Sequence, residues 1–142
     1  MIDLLDINIL VSLAWLDHVH HRQALDWFKS RQGQPWATTP FTEAGFVRVS
    51  SNSSALSGAV TPTEAVSLLD RMREVPGHQF LSDDLPLVFG RYLYPKQVVT
   101  HRQVTDAHLL ALARRHGARL ATFDRGIATM ANGEDLVLVP VT

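Results

Sequence analysis

The chain has 142 residues, with 13 Lys and Arg against 14 Asp and Glu, seven His and no Cys. This length predicts a single domain over residues 1–142, large enough to bury a core without covalent or metal cross-links. The lack of Cys excludes disulfide frameworks, thiolate zinc sites and thiol nucleophiles, and it favours a reducing compartment, so we expect a cytoplasmic protein. A net charge of −1 argues against a long-range basic field for nucleic acid, so any phosphate-binding surface must be local.

The first apolar stretch, residues 7–16, has the look of the hydrophobic region of a signal peptide. It follows Asp3 and Asp6 instead of basic residues, and it is much shorter than the ~20 residues that a membrane helix needs. We therefore expect neither an export signal nor a membrane span.

Strand-like and helix-like segments alternate along the chain. Short apolar runs predict strands at 2–5, 35–38, 79–81, 119–123 and 136–139. Apolar spacing and cap signals predict helices at 8–16, 19–31, 40–49, 62–75, 84–93 and 105–116, with Asn8 as the possible cap of the first. This alternation predicts an α/β fold, a three-layer α/β/α sandwich with a central, mostly parallel sheet.

Aromatic residues mark the first two helices. The helix over 19–31 carries Val19, Ala24, Trp27 and Phe28 at helical spacing on one side. Together with Trp15, the two rings at 27 and 28 predict core packing. If they are exposed, they would instead line a groove for an amphipathic segment of a partner protein.

Four carboxylates occupy corresponding places in the predicted sheet. Asp6 in LLDINIL and Asp124 in LATFDRG directly follow strands, whereas Glu43 in TPFTEAGFVR and Asp106 in VTDAHLLALA lie in the first turns of helices. A helix of about 12 residues and a returning strand of about five run similar distances, roughly 18 and 16 Å, so the third and fourth acids reach the same level. We therefore expect all four to converge at the carboxyl edge of the sheet, where α/β proteins bind ligands.

A cluster of four carboxylates has a defined chemistry. Mutual repulsion raises some of their pKa values unless a divalent cation neutralises them. Oxygen ligands without Cys favour Mg²⁺ or Mn²⁺ over zinc. Such a site, with metal-bound water, suits phosphodiester hydrolysis.

The four motifs, in this order, resemble the acidic motifs of PIN-domain ribonucleases, especially the VapC toxins of type II toxin-antitoxin systems. The resemblance extends over nearly the whole chain. It implies a PIN-like fold and an endoribonuclease toxin, dependent on Mg²⁺ or Mn²⁺, that inhibits translation and growth and is neutralised by a VapB-like antitoxin. Position by position, it implies a catalytic and metal-binding site of Asp6, Glu43, Asp106 and Asp124, with Asn8 as a supporting polar group.

Two other functions remain open. A Mg²⁺-dependent phosphatase would use an acid-x-acid motif, for which the D-I-N run has Asn8 where the second acid should stand. A non-catalytic PIN-like interaction module would bind a partner without cleaving RNA.

The remaining charged motifs carry less specific predictions. Arg102 shortly precedes the third acid, Arg125 directly follows the fourth, and Arg48 lies on the helix of the second, so these three are the candidate RNA contacts, ahead of Arg71 and Arg73. The His-rich run at 17–21 is more typical of a solvated helix start than of a metal site. A two-fold homodimer is expected for a domain of this size.

Overall fold

The computed structural model describes residues 1–87 and 100–141, without the side chain of Arg102. The strands are β1 (Asp3–Leu5), β2 (Trp36–Thr38), β3 (His78–Phe80), β4 (Arg119–Thr122) and β5 (Leu136–Leu138). The helices are α1 (Ile7–Ala14), α2 (His21–Ser30), α3 (Pro40–Ser50), α4 (Pro62–Met72) and α5 (Val104–Arg115), with short 3-10 helices at His101–Gln103 and Arg125–Thr129. Among these elements, no helix is long and apolar enough to cross a lipid bilayer.

The strands form one sheet in the order β3-β2-β1-β4-β5, and every neighbouring pair is parallel. Successive side chains of a strand point to opposite faces, and the core follows that alternation. Leu4 and Leu120 pack with α5 on one face, whereas Leu5 and Ala121 pack with α1, α3 and α4 on the other. The predicted α/β sandwich is therefore confirmed.

Three predicted helix boundaries, one start and two ends, and one predicted cap are wrong. Helix α1 ends at Ala14 instead of 16, α2 begins at His21 instead of 19, and α4 ends at Met72 instead of 75. Val19 lies in the turn before α2 with 78% of its surface exposed, so it does not share the core-facing side of that helix. The cap of α1 is Asp6, whose Oδ1 accepts a 2.7 Å hydrogen bond from the Ile7 amide, because Asn8 already lies inside the helix.

The predicted helix over 84–93 is not formed in its first part. Residues 84–87 are not helical, and 88–93 lie outside the described residues. Asp83 contacts Nε2 of His108 at 3.1 Å, and Asp84 accepts a 2.8 Å hydrogen bond from Arg115. These contacts with α5 hold the segment against the next helix and compete with helix formation.

The aromatic side chains of the first two helices are partly buried. Trp15, Trp27 and Phe28 pack against the core on the side of α1, α3 and α4, as the sequence predicts. The Trp15 indole also donates a 3.1 Å hydrogen bond to Oγ of Ser50. This packing links α1 and α2 to the end of α3.

Two local features set the position of α3. Thr39 caps the helix, and its side chain and that of Thr42 each accept a hydrogen bond from the other residue's backbone amide. On the face toward α1, Gly45 lies against Ile7 so closely that a Cβ there would collide with the Ile7 side chain. The close approach brings the first turn of α3, with Glu43, beside the start of α1, which follows Asp6.

Candidate active site

Asp6 lies directly after β1, in the middle of the sheet, and is only 6% exposed. Its Oδ2 accepts a 2.7 Å hydrogen bond from the Thr122 hydroxyl, and its Oδ1 accepts the bond from the Ile7 amide. Burial raises the pKa of Asp6, and the negative charge of Asp124 raises it further, while these two hydrogen bonds oppose the shift. Asp6 is thus a buried carboxylate held by neutral donors.

Thr122, at the end of β4, connects three parts of the site. Its Oγ1 donates to Asp6, accepts a 3.3 Å hydrogen bond from Nδ2 of Asn8, and accepts a 3.0 Å bond from the backbone amide of Asp124. A hydroxyl has one proton to donate and two lone pairs to accept with, so this group is fully used. Thr122 is a positioning residue that the sequence analysis missed, and its place two residues before Asp124 on a strand was the available signal.

Asn8 is placed beside the acids, where the resemblance implies a supporting group. Its Nδ2 reaches Thr122, and its Oδ1 lies 3.5 Å from the backbone amide of Phe123. Asn8 therefore ties the first turn of α1 to the segment that leads into Asp124.

Asp106 and Asp124 lie close enough to Asp6 for their charges to interact with it. Asp106 stands in the first turn of α5, and Asp124 follows β4, where its Oδ1 accepts a 2.8 Å hydrogen bond from the Gly126 amide. Burial raises the pKa of Asp106 to about 6, with further contributions from the charges of Asp6 and Asp124 and from a hydrogen bond with Asp124. The structure thus brings three of the four predicted acids into one electrostatically coupled group.

Glu43 stands at the same sheet edge, one strand along, in a network of its own. Its Oε2 accepts a 2.6 Å hydrogen bond from the Thr38 hydroxyl, and its carboxylate lies 3.4 Å from NH1 of Arg73. The Thr38 hydroxyl donates its one hydrogen bond to Glu43. In the 2.8 Å contact with Nε2 of His78 the imidazole N–H must therefore be the donor and the hydroxyl oxygen the acceptor. Burial, and then the charge of Arg73, lower the pKa of His78, in agreement with a neutral ring there.

The structure gives the positions of the basic residues that were predicted to contact RNA, and that prediction itself remains a prediction. Arg48 is exposed in the last turn of α3, and Arg125 is exposed directly after Asp124. The side chain of Arg102 lies outside the described part of the structure, and only its backbone, in a 3-10 helix before α5, is placed. Among the described side chains, Arg73, which the sequence analysis ranked lower, contacts Glu43, one of the four acids.

The chemistry of these donors fits a hard divalent cation, with one restriction. Carboxylate oxygens are the ligands that Mg²⁺ and Mn²⁺ prefer, and burial together with the charges of neighbouring aspartates raises the pKa values of Asp6 and Asp106. Over residues 1–87 and 100–141, no three His, Asp or Glu side chains are gathered closely enough to hold a metal ion by themselves, and this includes the His-rich run at 17–21. The residues therefore fit a cation that keeps much of its water and takes one or two carboxylates, as Mg²⁺ commonly does.

Comparisons with known proteins agree with this fold. The sequence profile of the PIN domain matches residues 4–133, a range that contains all four acids. Two ribonucleases of Mycobacterium tuberculosis are similar in sequence: VapC38 is 51% identical over 90% of this chain and 89% of its own, and VapC39 is 48% identical over 93% and 95%. In structure, the chain is similar to one in the crystal structure of VapBC2 from Rickettsia felis bound to a DNA fragment from their promoter, with a TM-score of 0.65, 17% identity and 97% of both chains covered. The chain therefore belongs to the PIN-domain family and, within it, to the VapC ribonucleases.

Proposed function

We propose that this protein is a metal-dependent endoribonuclease that hydrolyses RNA phosphodiester bonds with water as the nucleophile. The relatives at about half identity are named ribonucleases, and the similarity extends over nearly the whole chain. The observation that carries the proposal is the gathering of three aspartates at one sheet edge: Thr122 joins Asp6 to the Asp124 backbone, and Asp106 shares a hydrogen bond with Asp124. Three carboxylates in such a group favour the binding of a cation from solution.

The positions of the four acids suggest a role for each of them in binding the cation. Asp6 and Asp106 are the ligands we expect for Mg²⁺ or Mn²⁺, with Asp124 and Glu43 binding directly or through water. When bound, the cation would lower the pKa of a water molecule and stabilise the charge that builds up on the phosphate. Thr122 and Asn8 hold Asp6 and the Asp124 backbone in place, and a pKa of about 6 leaves the Asp106 carboxylate mostly ionised, and so able to bind a cation, at neutral pH.

The expected partners follow from the same family. We expect a cytoplasmic toxin that slows translation and growth by cleaving RNA, and a VapB-like antitoxin that holds it inactive. An arginine of the antitoxin could satisfy the three aspartates in place of the cation, since guanidinium groups pair with carboxylates. A homodimer is part of this proposal.

The decisive experiment compares isosteric variants of the acids. Asp6→Asn and Asp106→Asn each remove one negative charge without changing side-chain size, so we expect both to abolish cleavage of a labelled single-stranded RNA. Asp26→Asn, on the exposed side of α2, is the matched control and should cleave like the wild type. Cleavage should stop in chelator and return with Mg²⁺ or Mn²⁺.

Several outcomes would contradict the proposal. Full activity of folded Asp6→Asn protein would show that the acidic cluster is not needed for cleavage. Full activity in chelator would show that no metal ion is needed. Release of inorganic phosphate from small esters without RNA cleavage would identify a phosphatase. Partner binding that survives replacement of all four acids, with no RNA cleavage by the wild type, would identify a non-catalytic module.

A further inference from the structure

A groove runs between α3 and α4 and opens at the candidate active site. We call it the α3–α4 groove. Its lining includes the apolar side chains of Val47, Val66 and Leu69 and, with them, Glu43, Arg48 and Phe80. One end of the groove is thus a carboxylate of the proposed active site, and the groove continues away from it past an arginine.

Phe80 is an exposed aromatic residue in an unusual place. It ends β3 and pairs in register with Thr38 of β2, whose hydroxyl binds Glu43. Neighbouring strands are about 4.8 Å apart, so the Phe80 backbone lies one strand spacing from that of Thr38. Yet 48% of the Phe80 surface remains exposed.

Arg73 joins the ring to the acid. Its guanidinium lies 5.3 Å from the centre of the Phe80 ring, and its NH1 lies 3.4 Å from the Glu43 carboxylate. The Arg73 side chain is 39% exposed, and an ion pair of this length at such exposure is weak. A guanidinium has five N–H donors, so Arg73 can bind an incoming phosphate while staying near Glu43.

A cation beside an exposed aromatic face is the combination that binds single-stranded nucleic acid. Arginine takes the phosphate, and the ring stacks on a base whatever its identity. Sequence-independent stacking of unpaired bases is also how proteins distinguish single strands and loops from RNA duplexes. Arg48 and several apolar side chains line the rest of the groove, where they can contact further phosphates and bases.

We propose that Arg73 and Phe80 form a nucleotide subsite for single-stranded RNA, in which Arg73 binds a backbone phosphate and Phe80 stacks on the attached base. The subsite places the strand along the α3–α4 groove, with the neighbouring phosphodiester at the acidic cluster. This inference rests on the proposed ribonuclease function. It assigns the substrate an unpaired stretch next to the cleavage point.

The test measures RNA binding without cleavage. All variants are made in the Asp6→Asn background, and the affinity for a fluorescently labelled single-stranded RNA is measured by anisotropy over a range of salt concentrations. We expect Arg73→Gln to weaken binding about tenfold and to reduce the slope of log affinity against log salt by about 0.7, the value for one phosphate contact on a single strand. Phe80→Leu should weaken binding by about tenfold with an unchanged salt slope, because stacking does not release counterions.

The chain offers matched controls for both variants. Arg71→Gln removes the same charge two residues earlier, from the last turn of α4, but Arg71 lines a different groove, so we expect less than a twofold change. Phe80→Trp keeps an aromatic face and should bind as the parent does. Thermal unfolding of each variant confirms that the fold is retained.

The outcomes separate the subsite from the general function. If the parent binds RNA and Arg73→Gln behaves like Arg71→Gln, or Phe80→Leu like Phe80→Trp, the subsite is wrong while the ribonuclease proposal stands. The groove would then be a surface for a protein partner. If the parent does not bind RNA and the wild type does not cleave it, the proposed function itself is wrong.

Discussion

Asp3 begins strand β1 and Asp6 directly follows it, and the two carboxylates differ in the charge of the groups around them. Asp3, at the amino end, is 1% exposed and accepts hydrogen bonds from Nε of Arg31 at 2.5 Å and Nε of Arg119 at 2.9 Å. Asp6, at the carboxyl end, is 6% exposed and has a hydroxyl and one amide as donors, with two further aspartates nearby.

The difference is one of counter-charge. The carboxylate of Asp3 is neutralised within the chain, and the Arg31 side chain that does so also binds the carbonyl oxygens of Gln34 and Pro35 and stacks against Trp27. The role of Asp3 is therefore structural: it holds two arginine side chains in place. Within the described residues, Asp6 has neutral donors and two aspartates as neighbours, and such an accumulation of negative charge is the property that a site for an external cation requires.

The largest expected effect on stability comes from removing the charge of Asp3. Asp3→Asn leaves the buried guanidinium of Arg31 without its carboxylate and should lower the free energy of unfolding by about 3–5 kcal/mol. Asp6→Asn keeps a cap oxygen for α1 and relieves repulsion, but its Nδ2 cannot accept the Thr122 proton, so we expect a smaller loss, at most about 1–3 kcal/mol. Urea denaturation of the two variants measures the contrast, and equal destabilisation of both would contradict it.

A smaller effect is expected from removing the Thr122 hydroxyl, which holds the Asp6 carboxylate in place. Thr122→Val keeps the shape of the side chain but leaves Oδ2 of Asp6 and the Asp124 amide without their partner, which should cost about 1–3 kcal/mol. RNA cleavage should fall by about 10- to 100-fold, as for other groups that orient metal ligands. Thr122→Ser keeps the hydroxyl and should restore most of the activity; if it is as impaired as Thr122→Val, the hydrogen bonds are not the cause.

The smallest effect is the pH dependence of stability that Asp106 contributes. Its pKa is about 6 in the folded protein and near 3.8 when unfolded, so the native state holds the extra proton between these values. Stability from this group is therefore highest at low pH and is lost as the pH rises from about 4 through 6. Urea midpoints of the wild type should fall relative to those of Asp106→Asn over that range, and Mg²⁺ at pH 7.5 should raise the wild-type midpoint more than that of the variant. Parallel pH profiles for the two proteins would contradict the shift.

The sequence predicted well what depends on neighbouring residues. The start signals Thr39-Pro40 and Thr61-Pro62 both begin helices in the structure, because a capping side chain and a Pro at the first position act within one turn. The spacing of Asp106 and Asp124 around Gly117 also led to the correct expectation that these two acids meet. Asn8 was misread as a cap because the signal was equally present in Asp6, two residues earlier.

The contacts that the sequence did not reveal join distant segments. Arg73 meets Glu43 across 30 residues, and Thr122 meets Asp6 across 116. Arg31 and Arg119 reach Asp3 because β1 lies between β2 and β4 in the sheet. No local pattern carries this information, since a charged residue has the same appearance in a sequence whatever faces it in space.

The sequence by itself determined the alternation of strands and helices and placed four acids at one edge of a parallel sheet, because both follow from short-range periodicity. The tertiary structure alone decided which acids are neutralised and which are not. Strand order and helix packing bring two arginines to Asp3, one to Glu43, and two further aspartates to Asp6. The energy of a carboxylate depends on the charges and donors within a few ångströms, and those neighbours are set by the fold.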